Sequence, residues 1–108
     1  MPIYNKLVRD NIPQVIEKSK KEYSTRILSK EEYMVEVKKK MDEEFEEYQQ
    51  ATSNEEAVEE LADILELVHA AAKMHGATIE QLEEVRRAKA EKRGGFEQRI
   101  FLIEVEDD

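Results

Sequence analysis

The sequence predicts an all-α protein, a helical bundle built on one long antiparallel helix hairpin with short extended pieces at its N- and C-terminal ends. Three observations carry this expectation. Apolar and charged residues each make up 40% of the 108-residue chain, which holds only 3 Gly and 2 Pro, a balance suited to long helices with one charged face. Ser29 with Glu32, and Ser53 with Glu56, have the spacing of a capping box, and each opens a stretch of about twenty residues free of Gly and Pro. Within both stretches apolar residues recur at the helical period, not the strand period.

In chain order, Ile3 to Val8 reads as a short extended stretch. Asp10 can then cap a helix with Pro13 in its first turn, Val15 and Ile16 on its buried side, and an end near Lys20 or Lys21. Between Tyr23 and Leu28 the run Ser-Thr-Arg-Ile-Leu is too short for a helix and rich in β-branched residues, which suits a brief extended piece. A long helix follows from about Lys30 to Ala51, and Thr52, Ser53 and Asn54 break it. Ser53 opens the second long helix, which Gly76 should stop by turning left-handed. Thr78 with Gln81 caps a further helix that ends before Gly94-Gly95, and the apolar tail from Phe96 to Val105 reads as extended. The acidic end, Glu104 to Asp108, should fray. With no repeat and no break in composition, residues 1–108 are expected to form a single domain.

A formal net charge of -9 argues against sequence-independent binding to nucleic acid, which needs clustered cations to displace phosphate counterions. The absence of cysteine removes disulfides, thiolate catalysis and zinc-thiolate sites, and suits a reducing cytoplasm. No apolar signal core follows Met1, and no apolar run reaches the roughly 18 residues of a membrane span. A cytoplasmic protein without membrane contact is expected.

The most informative residues are acids lying where apolar residues should be. Turning each residue by about 100° around the first long helix gathers Tyr33, Met34, Val37, Met41, Phe45, Tyr48 and Ala51 on one face, and Glu44 falls inside it. Lys40 and Glu47 lie at its margin, whereas Glu43 and Glu46 point away. On the second long helix Glu60 falls among Ile64, Leu67 and Ala71, with Asp63 at the edge of the apolar arc. Each helix thus carries one acid inside its apolar face and another three residues on, and an antiparallel hairpin can bring the pairs together. Any one of these acids alone is most simply a solvated charge; the paired pattern makes the case. Four ionised carboxylates in a partly dry groove must take up protons or bind cations. Hard oxygen ligands without Cys or a paired His favour Mg²⁺, with Mn²⁺ the alternative, over zinc.

Glu44-x-x-Glu47 followed, after the twelve residues from Tyr48 to Glu59, by Glu60-x-x-Asp63 resembles the metal motif of the MazG-like all-α nucleoside triphosphate pyrophosphohydrolases. Lys40-Met41-Asp42-Glu43-Glu44 looks like that family's approach to the first pair. Tyr4-Asn5-Lys6-Leu7-Val8-Arg9-Asp10-Asn11-Ile12-Pro13 and Lys92-Arg93-Gly94-Gly95-Phe96 narrow the match to its phosphoribosyl-ATP pyrophosphohydrolase-like branch, so that the resemblance covers nearly the whole chain. It implies cleavage of the α–β phosphate bond of a nucleoside triphosphate or related nucleotide, releasing a monophosphate and pyrophosphate. The broad apolar faces of the helices suggest burial against another subunit, so a homodimer or higher homo-oligomer is expected, and the resemblance implies that a partner supplies part of the pocket.

On this reading Glu44, Glu47, Glu60 and Asp63 hold the metal. Glu47 is the favoured general base, because its marginal position leaves room for water; Glu44 is the alternative. Lys89 and Arg93, one turn apart, lie where related enzymes carry phosphate-contacting residues, and Lys40 joins them as a candidate substrate-binding residue; the plainer reading of Lys89 and Arg93 is a basic helix end that suits the dipole. Lys92 is less well placed. Lys6 and Arg9 could reach a substrate, but pairing with acids elsewhere is the simpler expectation. Gly94-Gly95 follows a helix instead of leading into one, so it reads as a stop and not a phosphate cradle. His69 and His75 read as ordinary helix residues, and Tyr33, Phe45 and Tyr48 as core more than as a base-stacking wall. Two other functions remain open: a helical scaffold of the same fold without catalysis, and an enzyme dedicated to phosphoribosyl-ATP.

Overall fold

The computed structural model describes residues 2–107, which form four helices: α1 (Ile12–Lys18), α2 (Lys30–Gln50), α3 (Asn54–Met74) and α4 (Ile79–Arg93). The all-α expectation holds, and there is no strand among the described residues.

Local chemistry sets the helix starts as the spacing predicts. The Ser29 hydroxyl accepts from the Glu32 N–H at 3.2 Å, and the Ser29 N–H donates to the Glu32 carboxylate at 3.1 Å. Arg26 grips the same carboxylate at 2.8 Å, and its hydrogen bond, with that of the Ser29 backbone, holds the Glu32 carboxyl down at about 2. At α3 only half of the box forms. Ser53 accepts from the Glu56 N–H at 3.1 Å, while the Glu56 carboxylate accepts from the Thr52 N–H at 3.0 Å. At α4 the Thr78–Gln81 box is complete, at 2.9 and 3.0 Å. Beyond α3 the chain reverses at Gly76, whose φ of +78° is open to glycine at no steric cost.

The ends of the chain depart from expectation. α1 is capped at Asn11, not Asp10, makes no side-chain cap hydrogen bond, and stops at Lys18. The Ser19 and Lys20 amides donate back to Ile16 and Glu17, and Lys20 turns left-handed at a φ of +59°, which closes the helix early. Val15, expected on the buried side, is exposed, whereas Ile16 is half-buried. The tail beyond Gly95 makes a turn, with the Arg99 N–H donating to Phe96 at 3.2 Å, and then runs on without a strand partner among the described residues. Of the acidic end, Asp108 lies outside the described residues.

α2 and α3 pack as the expected antiparallel hairpin across the three-residue link Ala51 to Ser53, and α4 packs on α3 but not on α2. Val37 from α2 with Ile64 and Ala72 from α3 are the buried apolar residues, and Glu44 joins them at 7% exposure. Helical geometry then divides the hairpin into two flanks. Relative to the Val37–Glu44 line on α2 and Ile64 on α3, Lys40, Glu47, Glu60 and Asp63 turn to one side. Met34, Met41, Phe45 and Tyr48 turn to the other, as do Val58, Leu61 and Leu65. Because the helices run in opposite directions, those two apolar stripes fall on the same side of the hairpin. One side of the hairpin therefore carries the acids, with Leu67 between them, and the other is apolar.

Candidate metal centre

Four acids reach the ionic side from two adjacent turns of each long helix. Carboxylate oxygens of Glu44, Glu47 and Glu60 lie within 4.8 Å of one another, so the hairpin brings together three of the four expected residues. Glu44 is buried, Glu60 half-buried and Glu47 exposed. Lys40 lies against them, its Nζ 3.9 Å from Glu44 Oε1 and 3.5 Å from Glu43 Oε2. Asp63 is placed differently: its Oδ1 accepts a hydrogen bond from Arg9 Nη2 at 2.6 Å. Lys89 and Arg93 are exposed on α4, and neither takes part in an ion pair among the described residues.

The acids disturb one another as crowded anions must. The Glu44 carboxyl is pushed up to about 7, first by burial, then by hydrogen bonding with Glu47 and Glu60, then by the charges of Glu47 and Asp63. For Glu60 the hydrogen bond with Glu44 pulls downward, but burial together with Glu47 and Asp63 outweighs it and the carboxyl is raised. Glu44 Oε2 and Glu60 Oε2 are both buried without a hydrogen-bond partner among the described residues. Such orphaned oxygens are costly unless a proton or a cation meets them. The donor set, carboxylate oxygen without thiolate, suits a hard divalent cation. The residues present therefore fit a divalent metal.

A pH dependence follows. Glu44 titrates near 7 when folded but near its ordinary 4.5 when unfolded, so the metal-free folded chain binds more protons between those values. The associated stability is present below the unfolded value and is lost as pH rises through the folded one. Facing Glu44 are Glu47, Glu60, Asp63 and Lys40, with Arg9 beyond Asp63. In chelator, the melting temperature should fall between about pH 5 and pH 8, and Glu44→Gln should flatten much of that slope. A parent slope no steeper than that of Glu44→Gln in thermal denaturation would contradict the crowding.

Sequence reasoning named Arg9 but not its partner. Arg9 was expected to pair with an acid, but nothing in a contact spanning 54 positions announces that the acid is Asp63. No helix among the described residues is long and apolar enough to cross a membrane. The family model described as phosphoribosyl-ATP pyrophosphohydrolase matches residues 6–93, a span that includes Arg9, Lys40, all four acids, Lys89 and Arg93. No curated protein and no solved structure matches the chain.

Proposed function

The chain belongs to the phosphoribosyl-ATP pyrophosphohydrolase family, and from that premise we propose that it is a Mg²⁺-dependent nucleotide pyrophosphohydrolase that cleaves the α–β phosphate bond of a nucleoside triphosphate or related nucleotide. Pyrophosphohydrolysis, a hydrolysis of an acid anhydride, is the activity of that family, and it displaces the non-catalytic scaffold reading. The observation that most supports a metal is the pair of orphaned oxygens, one on Glu44 and one on Glu60, facing into a cluster that cannot be fully ionised on its own.

In this proposal Glu44, Glu47 and Glu60 hold the ion, and Asp63 completes the set. When bound, the ion would supply positive charge against the negative charge that grows on the leaving pyrophosphate and would lower the pKa of water beside it. Glu47, the most exposed of the three clustered acids, accepts the proton of the attacking water on an oxygen not committed to metal. Lys40 balances the buried charge of Glu44 and offers its ammonium to phosphate, and Lys89 with Arg93 supplies further cationic contacts. All of this machinery belongs to one domain of residues 1–108.

We also propose a homodimer or higher homo-oligomer. A folded monomer of 12.7 kDa should expose about 6,200 Å², yet this chain exposes 10306 Å². Its radius of gyration, 18.5 Å, likewise exceeds the roughly 13 Å of a compact chain of this length. Part of the excess lies in the extended terminal segments, where Ile3, Phe96, Phe101 and Ile103 are open to solvent, and part on the apolar side of the hairpin, which offers a second copy a continuous surface.

A second reading, a dedicated phosphoribosyl-ATP pyrophosphohydrolase, is favoured by the description of the matched family. A pyrophosphate-release screen over ordinary and modified nucleoside triphosphates and phosphoribosyl-ATP separates the two. Turnover is expected with Mg²⁺ or Mn²⁺ and none in chelator. A strong preference for phosphoribosyl-ATP would select the dedicated enzyme, and release undiminished by chelator would sink the metal assignment.

A further inference from the structure

Asp63 sits one turn beyond Glu60 on the same side of α3, close enough for its charge to be felt at Glu44, yet its carboxylate is held by Arg9 and not turned into the cluster. The arginine comes from the N-terminal stretch, which lies along the ionic side of the hairpin: Asn5, Lys6 and Leu7 line a small cleft with Glu36, Lys39, Lys40 and Glu43. The pair is open to water, with side-chain exposures of 59% for Arg9 and 38% for Asp63, so solvent screens it and either partner can be drawn away. A guanidinium is a planar fork that suits a carboxylate or a phosphate equally well. A cation so near a metal site also opposes the binding of a second cation, by simple repulsion.

We infer that Arg9 is a positioning residue of the pyrophosphohydrolase site proposed above: it holds Asp63 away from the cluster in the free protein and transfers to a phosphate oxygen of the nucleotide when Asp63 turns inward to complete the metal set. The inference rests on that reading of the site. Arg9 thereby couples the arrival of metal to the arrival of nucleotide, because releasing Asp63 is favourable only when phosphate is there to receive the guanidinium. A purely structural anchor would act differently. Its loss would weaken metal and nucleotide binding together, whereas loss of Arg9 as described here should move them in opposite directions.

The test compares the full chain with Arg9→Gln, measuring Mn²⁺ binding by calorimetry without nucleotide and KM for the best substrate of the screen. Arg9→Gln should bind Mn²⁺ several-fold more tightly, while its KM rises about tenfold, equivalent to about 1.4 kcal/mol. Arg9→Lys, which keeps the charge and loses the fork, should recover part of each. Mn²⁺ affinity that is unchanged or weaker in a folded Arg9→Gln would overturn the role of Arg9 and leave the metal site standing. A parent chain that binds no Mn²⁺ would overturn both. Should Arg9→Gln fail to fold, Asp63→Asn serves instead: it must weaken Mn²⁺ binding much more in the presence of an uncleavable α,β-methylene nucleotide than in its absence, and an equal effect in both would overturn the inference.

Discussion

Glu44→Gln should reduce metal-dependent pyrophosphate release by about 100-fold or more, because outer partners of metal ligands alone cost roughly 10–100-fold when removed and a ligand itself must cost at least as much. The same substitution should raise the melting temperature of the metal-free protein at pH 8. Glu44 is 7% exposed, one of its oxygens lacks a partner, and its carboxyl is pushed up to about 7, so at pH 8 the fold carries a buried charge repelled by Glu47 and by Asp63. Glutamine keeps the volume, removes the charge and offers an amide that can donate to a neighbouring carboxylate. Activity and stability should thus move in opposite directions in one variant, as expected when repulsion is retained for function. Added Mg²⁺ should raise the melting temperature of the parent and leave Glu44→Gln nearly unmoved. Calorimetric scans with and without Mg²⁺, beside the release assay, check all three. A variant that loses activity and stability together would mean that Glu44 is chiefly a packing residue.

The second large effect concerns the opposite side of the hairpin. Leu61 and Leu65 are 46% and 54% exposed in the single chain, and Phe45, Tyr48 and Val58 extend the same apolar surface. If a second copy covers it, burying the still exposed half of the two leucines contributes about 1.5–3 kcal/mol per chain. Replacing both by lysine should abolish the assembly and, since about 1 kcal/mol moves a domain of this size by several degrees, lower the melting temperature by about 10 °C. Light scattering after size exclusion should give an oligomer for the parent and a monomer of about 12.7 kDa for the double variant. A parent that is itself monomeric, with a double variant equally stable, would show that this surface is simply solvated.

Much of the structure was legible in the sequence because its determinants are local. The starts of α2, α3 and α4 are set by a hydroxyl and an amide three residues apart. The choice of Glu44 and Glu47 over Glu43 and Glu46 follows from where 3.6 residues per turn places each side chain, and the hairpin brings the chosen pair to Glu60. The N-terminal helix was less legible. Asp10 and Asn11 are both competent caps, and a helix of seven residues has too few intrahelical hydrogen bonds for propensity to decide between them. Lys89 and Arg93 rest on motif position alone, since α4 does not meet α2.

By itself the sequence determined which segments are helical, which acids interrupt the apolar face of each long helix, and that the two long helices must turn back on one another. These depend on a rise and a period that every α-helix shares. Only the tertiary structure decided that Glu44, Glu47 and Glu60 converge while Asp63 is taken by Arg9, and that the apolar stripes of both helices open on the side away from them. The physical reason is that an ionic contact between distant segments is selected by where the folded backbone puts two flexible side chains, and many acids and bases in so charged a chain compete for each place.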